Sequence, residues 1–363
     1  MLEKAIEILK ILESKGYSAY IVGGFVRDYL LNRKTSDIDI CTNATPKEVT
    51  EIFTTVSLSD VLYGAVKVYY KGYQFDVTTY RKEITYADNR HPVKIKYIND
   101  IKRDLLRRDF TINTLCLNSK NEIIDFLNIK KDLNKKLIKT VGNPRYKIKE
   151  DSLRILRAIR FATTLDFDID NKTAHYIIKY GPLLTNLSLN RKKEELNKIF
   201  LSPNREKGKE LLIKFKLTKY LQLDNLKNVT LGNDLIAIWS ELNVDNIYPF
   251  TKLEKNQMKI IRELLSHDVL SDYDLYKYGL YYGTVYADIK RIDKKEINER
   301  YYNLPIFSKK DIIVTALDIA NILNKEPGPF IKEIINDLEY QIITKNIPNN
   351  YEEISNYILN KYK

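Results

Sequence analysis

The chain has 363 residues, 44% hydrophobic and 30% charged, a composition that supports a sizeable core, two or more domains and an ordinary globular class. Its 60 Lys and Arg against 48 Asp and Glu give a formal charge of +12, which favours a polyanionic partner such as nucleic acid. No apolar run reaches membrane-spanning length, and two cysteines, Cys41 and Cys116, argue against a disulfide framework or a zinc site and suit a reducing, cytoplasmic setting.

Residues 1–15 read as an amphipathic helix containing acids, unlike a secretory leader. Residues 20–22 read as a strand that runs into Gly23 and Gly24 and then a helix-compatible stretch, 25–31. Glycines there let main-chain N–H groups approach a ligand, and a helix start adds donors and partial positive charge, so a triphosphate is the expected occupant. Arg27 is expected to neutralise phosphate, with Asp28 orienting it or accepting a ribose hydroxyl. Residues 36–41 read as a second strand, whose alternate side chains share a face. Asp37 and Asp39 are therefore expected to point the same way and to hold one or two Mg²⁺ ions. More strands are expected at 66–70, 73–79, 93–98 and 123–125, alternating with helices. From about residue 143 strands vanish, and Pro or Gly punctuates helical patterns at 181–182, 203 and 327–329. The expected class is α+β, with an all-helical second half.

Two basic segments stand out. Residues 102–113 put Lys102, Arg103, Arg107 and Arg108 close to Asp109, which is placed either to cap a following helix or to sit beside a phosphate-binding arginine fork. In residues 150–161, Asp151, Arg154, Arg157 and Arg160 recur every third position, one slanted row of a helix beside the apolar row Leu153, Leu156 and Ile159. The three histidines, His91, His175 and His267, show no metal-ligand spacing.

Gly23-Gly24-Phe25-Val26-Arg27-Asp28 with Asp37-Ile38-Asp39, then Arg107-Arg108-Asp109-Phe110-Thr111-Ile112-Asn113, then Glu150-Asp151 through Arg160-Phe161, resemble in order and spacing the class II tRNA nucleotidyltransferases. These comprise the bacterial CCA-adding enzymes and their poly(A) polymerase relatives. Residues 304–311 and Pro327-Gly328-Pro329-Phe330 resemble the tail of the Bacillus-type CCA-adding enzymes, so the resemblance spans nearly the whole chain.

What the resemblance implies is template-independent addition of CCA to the tRNA 3′ end, using CTP and ATP with Mg²⁺. It implies a catalytic nucleotidyltransferase head at 1–125, a base-recognising helical neck at 126–200, a helical body at 201–300 and a tRNA-binding tail at 301–363. Asp37 and Asp39 match the family's metal ligands, with Asp76 a candidate third acid. Gly23, Gly24, Arg27, Arg108, Arg157 and Arg160 match nucleotide-binding positions, and Asp151 with Arg154 matches the pair that reads the incoming base. Cytosine and adenine offer an exocyclic amine to a carboxylate beside an acceptor for a guanidinium, whereas uracil and guanine present a carbonyl where the amine should be. Two positions depart from the family pattern. Thr114 stands where Ala is usual, and Asn190 stands where Glu is usual in the bracing segment 188–196, leaving Arg191 and Glu195 spaced as an i,i+4 pair. The segment 81–94 resembles the flexible loop used for the final A, which disfavours CC-only addition. The alternatives are A-only addition, poly(A) synthesis, and a non-catalytic RNA-binding scaffold.

Overall fold

The computed structural model of the chain describes residues 1–35, 37–54, 56–57, 64–87 and 91–363. It begins with α1 (Leu2–Ser14), whose Ala5, Ile8, Leu9 and Leu12 recur at helical spacing and are all buried. β1 (Ala19–Val22), α2 (Gly24–Leu30), β2 (Asp39–Thr42) and α3 (Pro46–Ile52) follow, then β3 (Val56–Ser57), β4 (Ala65–Tyr70) and β5 (Tyr73–Thr79). After these come β6 (Arg81–Ala87), β7 (His91–Tyr97), α4 (Ile101–Arg107), β8 (Cys116–Leu117) and β9 (Ile123–Ile124).

The main sheet is mixed, in the order β3-β4-β5-β2-β1-β8-β9, with β2 and β5 its parallel pair. Ile21, Ile40, Val77 and Val66 occupy successive register positions across four strands and are all buried, so the period-2 apolar pattern forms one continuous layer of core. β6 and β7 stand apart as an antiparallel hairpin. The segment expected as a loop at 81–94 is therefore mostly strand, and Asp88, Asn89 and Arg90 within it lie outside the described residues.

α5 (Lys130–Asn134), β10 (Leu137–Ile138), α6 (Pro144–Glu150), α7 (Leu153–Leu165), β11 (Asp168–Ile169), α8 (Asn171–Tyr180), α9 (Leu189–Phe200), α10 (Arg205–Lys214) and α11 (Thr218–Leu221) come next. Strands do not vanish at residue 143. Asp166 ends α7 in the left-handed region at φ 55°, Phe167 is buried, and the chain runs back parallel to β10 as β11. Two residues are too few for an alternation that a sequence pattern can show. Ile155, Leu156, Ala158, Ile159 and Ala162 bury the inner face of α7, which packs against α9 and α10. Gly208 permits that approach, because a Cβ there would collide with Ile199 and Thr163.

Met1–Lys227 and Asn228–Lys363 form two compact units. The second consists of α12 (Leu235–Leu242), α13 (Lys252–Leu265), α14 (Asp272–Tyr278), α15 (Leu280–Lys290), α16 (Lys294–Tyr302), α17 (Ala316–Leu323), α18 (Phe330–Ile343) and α19 (Tyr351–Tyr362). Capping boxes at Thr251–Glu254, Ser271–Asp274 and Thr315–Asp318 start α13, α14 and α17, and α18 begins directly after Pro327-Gly328-Pro329. Ile319, Ile334, Leu338, Ile342, Ile354 and Ile358 supply one of its apolar cores. Among the described residues no helix is long and apolar enough to cross a membrane.

Candidate active site

The strand-to-helix turn after β1 depends on Gly23, whose φ of +87° is strained for any residue with a Cβ. A Cβ at Gly23 would stand 3.4 Å from Oδ2 of Asp39 and 3.7 Å from Nη1 of Arg108, so bare main chain lies beside a carboxylate and a guanidinium. α2 has only seven residues, so its aligned dipoles are few and arginines carry most of the local positive charge. Arg27 is buried and oriented by its neighbour, as expected. Its Nε and Nη2 donate to the two Asp28 oxygens at 2.9 and 2.7 Å, and its Nη1 donates to Oδ1 of Asn113 at 2.7 Å.

β2 begins at Asp39, so Asp37 lies in the segment before the strand and the expected alternation does not place it. Both carboxylates nevertheless line one cleft. Asp76 sits opposite Asp39 in the β2–β5 register, is held by Lys67 at 3.0 Å, and is not among the residues lining that cleft. Burial, then the charges of Asp37 and Asp76, push the Asp39 acid up to about 6 against the opposing pull of Arg108 and Lys67. A buried carboxylate that resists ionising beside another is a donor that a divalent cation relieves. Among the described residues no group of three or more His, Cys, Asp and Glu is arranged to hold a metal. A cation on Asp37 and Asp39 would complete its shell with water and phosphate oxygens, a habit of Mg²⁺.

α4 delivers Arg107 and Arg108 from below. Asp104, fully buried, accepts Arg107 Nε at 2.8 Å, Arg108 Nη2 at 3.3 Å and the Arg81 main-chain N–H at 3.1 Å. Burial opposes its ionisation, but the two guanidiniums hold its carboxyl below the usual range. Asp109 does not cap an α-helix, because a 3₁₀ turn, Thr111–Asn113, follows it. It accepts the Phe110 N–H at 2.7 Å, Asn113 Nδ2 at 3.1 Å and Arg157 Nε at 2.8 Å, and lies 2.6 Å from Arg157 Nη2. Burial alone would raise its acid, yet the Arg157 charge and these hydrogen bonds hold it far below the ordinary value.

The helix expected through 150–161 breaks at Asp151, whose Oδ1 accepts the Leu153 N–H at 3.0 Å and so starts α7. Oδ2 of Asp151 lies 4.0 Å from Arg154 Nε. Arg154 is anchored by Nη1 to the Lys147 carbonyl at 2.6 Å and by Nη2 to the Arg107 carbonyl at 3.3 Å. Arg160 pairs with Glu195 of α9 at 3.0 Å, whereas Arg191 pairs with Glu194 at 2.8 Å. The i,i+4 pair expected between Arg191 and Glu195 is thus replaced, because Glu195 is turned into the buried α7–α9 contact while Arg191 stays exposed. Asn190 is exposed on α9, and the Thr114 hydroxyl, which Ala would lack, donates to the Thr111 carbonyl at 2.8 Å.

All ten residues expected from the sequence, from Gly23 to Arg160, line a single cleft of about 560 Å³. Arg107, Asp109, Asn113 and Phe161 join them there. Asp104, which holds the two arginines from beneath, was missed; an acid three and four residues before Arg107 and Arg108 on a helix was the available signal. A roomier hollow of about 1020 Å³ beside Lys139, Asn143, Lys172 and Tyr176 contains none of the ten.

Residues 19–139 match the family model for the poly(A) polymerase head domain. Residues 166–226 match that for the RNA- and SrmB-binding site of polymerase A, and 250–358 that for tRNA nucleotidyltransferase domain 2. The chain is 31% identical to the CCA-adding enzyme of Geobacillus sp. (strain WCH70), over 99% of this chain and 97% of that one. Its structure is similar to that of the Bacillus stearothermophilus CCA-adding enzyme in complex with CTP, with a TM-score of 0.80, 27% identity, and coverage of 99% and 97% of the two chains. The Thermotoga maritima CCA-adding enzyme complexed with tRNA shares the fold, with a TM-score of 0.72, 22% identity, and coverage of 100% and 95%.

Proposed function

We propose that this chain, which belongs to the CCA-adding enzyme family, adds C, C and A in turn to the 3′ end of tRNA from CTP and ATP without a nucleic-acid template. The observation that carries this reading is one cleft in which a glycine cradle, a carboxylate pair and a carboxylate–guanidinium pair face the same space. A nucleoside triphosphate laid along it has its phosphates at Gly23, Gly24 and Arg108 and its base at Asp151 and Arg154.

Asp37 and Asp39 would hold Mg²⁺, which when bound lowers the pKa of an attacking 3′-hydroxyl and offsets charge on the departing pyrophosphate. Arg108, held by Asp104, and Arg27, held by Asp28, present fixed guanidiniums to the phosphates, so little reorganisation is needed as charge shifts. Asp151 accepts the exocyclic amine of cytosine or adenine while Arg154 donates to the adjacent acceptor. Uracil or guanine sets acceptor against acceptor there, a mismatch of about 1–3 kcal/mol, or roughly fivefold to 150-fold in selection. Arg157, fixed by Asp109, and Arg160, paired in charge with Glu195, shape the rest of the pocket.

We assign catalysis to 1–125, base selection to 126–200, and the grip on tRNA to the helical regions 201–300 and 301–363, with the excess of 60 basic over 48 acidic residues favouring the polyanion. Two buried free thiols, Cys41 and Cys116, are consistent with work in the cytoplasm. The test is incubation with Mg²⁺, labelled CTP and ATP, and tRNA ending at the discriminator base, at C or at CC. Completion to CCA on all three primers supports the reading. Extension of the CC primer alone marks an A-adding enzyme, long A tails mark a poly(A) polymerase, and no incorporation marks an RNA-binding scaffold.

A further inference from the structure

Three arginine–carboxylate pairs, one from α2 and two reaching out from α7, meet at Phe161. Its ring centroid lies 4.3 Å from the guanidinium carbon of Arg160, 5.2 Å from that of Arg27 and 5.3 Å from that of Arg157. The ring is nearly buried and sits edge to face with Phe110 at 5.7 Å. Asp28, Asp109 and Glu195 each neutralise one of the three arginines.

Neutralising charge is not the same as fixing direction. Arg160 Nε and Glu195 Oε2 are 3.0 Å apart, yet each is buried without a hydrogen-bond partner, because the N–H does not point along the contact. Glu195 therefore supplies charge to Arg160 but no directional bond through these atoms, and the Phe161 ring lies against the same guanidinium at 4.3 Å. Three guanidiniums crowded round one centroid also repel one another, the more so where water is scarce. A phenyl ring offers its negative face to cations, whereas an aliphatic side chain of similar bulk fills the space and offers nothing.

We propose that Phe161 is a positioning residue for nucleotide recognition: its ring holds Arg27 of α2 in register with Arg157 and Arg160 of α7 and thereby sets the shape of the cleft. This rests on the function proposed above. The side chain acts through the arginines and has no need to touch the nucleotide.

The experiment places phenylalanines bearing one, two or three ring fluorines at position 161 of the full chain, which drains the negative face with little change of shape. Dissociation constants for CTP and ATP and the melting temperature are measured alongside the unmodified protein. Affinity falls in step with fluorination, by roughly fivefold to tenfold at three fluorines, while the melting temperature stays nearly constant. Phe161→Tyr keeps affinity within about twofold and Phe161→Leu weakens it at least as much as three fluorines, with UTP incorporation rising. Constant affinity across the fluorinated series overturns the proposal, and that series decides the matter even where Phe161→Leu does not fold. An unmodified protein that binds neither CTP nor ATP overturns the proposed function, and this inference with it.

Discussion

Asp109 is the residue whose removal most sharply tests how the site is held together. Asp109→Asn preserves shape and keeps one carbonyl, but it either turns an amide toward the Arg157 donors at 2.6 and 2.8 Å or gives up the bonds from Phe110 and Asn113. Breaking a buried pair from one side costs about 3–5 kcal/mol. The Arg157 side chain keeps 32% of its exposure and can rehydrate, against 11% for Asp109, which brings the expected loss down to about 2–3 kcal/mol. For a unit of this size that is about 5–10 °C in melting temperature. The sign with pH follows from the carboxyl being held far below its unfolded value of about 3.9. Its contribution is fully present above the unfolded pKa and is lost as pH falls through the folded one. The gap between wild type and Asp109→Asn is therefore constant from about pH 8 to 5 and narrows below about pH 4. Urea unfolding at pH 7.5, 5.5 and 3.5, followed by circular dichroism, measures it; fluorescence of the single tryptophan, Trp239, reports the second unit instead. A loss under about 0.5 kcal/mol, or a gap that widens on acidification, refutes the reasoning.

Gly23→Ala meets neighbours at ordinary contact distances, so its cost is the backbone strain at φ +87°, about 1–2 kcal/mol, expressed as a roughly tenfold rise in the CTP dissociation constant measured by calorimetry. Burial pushes the Cys41 thiol well up and the Cys116 thiol up to about 12, so neither reacts with Ellman's reagent at pH 8 in the folded chain, while guanidinium exposes both. Chelation by EDTA abolishes nucleotide incorporation and added Mg²⁺ restores it; activity that survives chelation contradicts the assignment of Asp37 and Asp39.

What the sequence made legible was the chemistry that needs particular residues at short spacing. Gly-Gly before a helix, Asp-x-Asp, the double arginine and the arginine row each announced a piece of one cleft, and all ten expected residues line it. What stayed hidden was decided by partners far along the chain. Asp109 has the local look of a cap, but a guanidinium 48 residues away binds it more strongly than a few free N–H groups would. Arg191 and Glu195 have the spacing of a helical pair worth a few tenths of a kcal/mol on an exposed face, and a partly buried Arg160 competes for the buried Glu195 with less screening. The alternation predicts a strand through Asp37, but the strand starts two residues later, at Asp39. β11 escaped notice because two residues carry no period.

On the proposed reading, transfer chemistry rests on Asp37 and Asp39 and base choice on Asp151 and Arg154, two separate stretches of chain lining the same cleft, so a mutation should be able to remove one without the other. The direct measurement offers each of the four nucleoside triphosphates, with Mg²⁺ and tRNA ending at the discriminator base, to Asp37→Ala and to Asp151→Ala, and sequences the extended ends. Asp37→Ala transfers nothing, whereas Asp151→Ala still transfers and now accepts UTP and GTP. An Asp151→Ala enzyme that retains full selectivity for CTP and ATP, or an Asp37→Ala enzyme that still extends the tRNA, contradicts that division of labour.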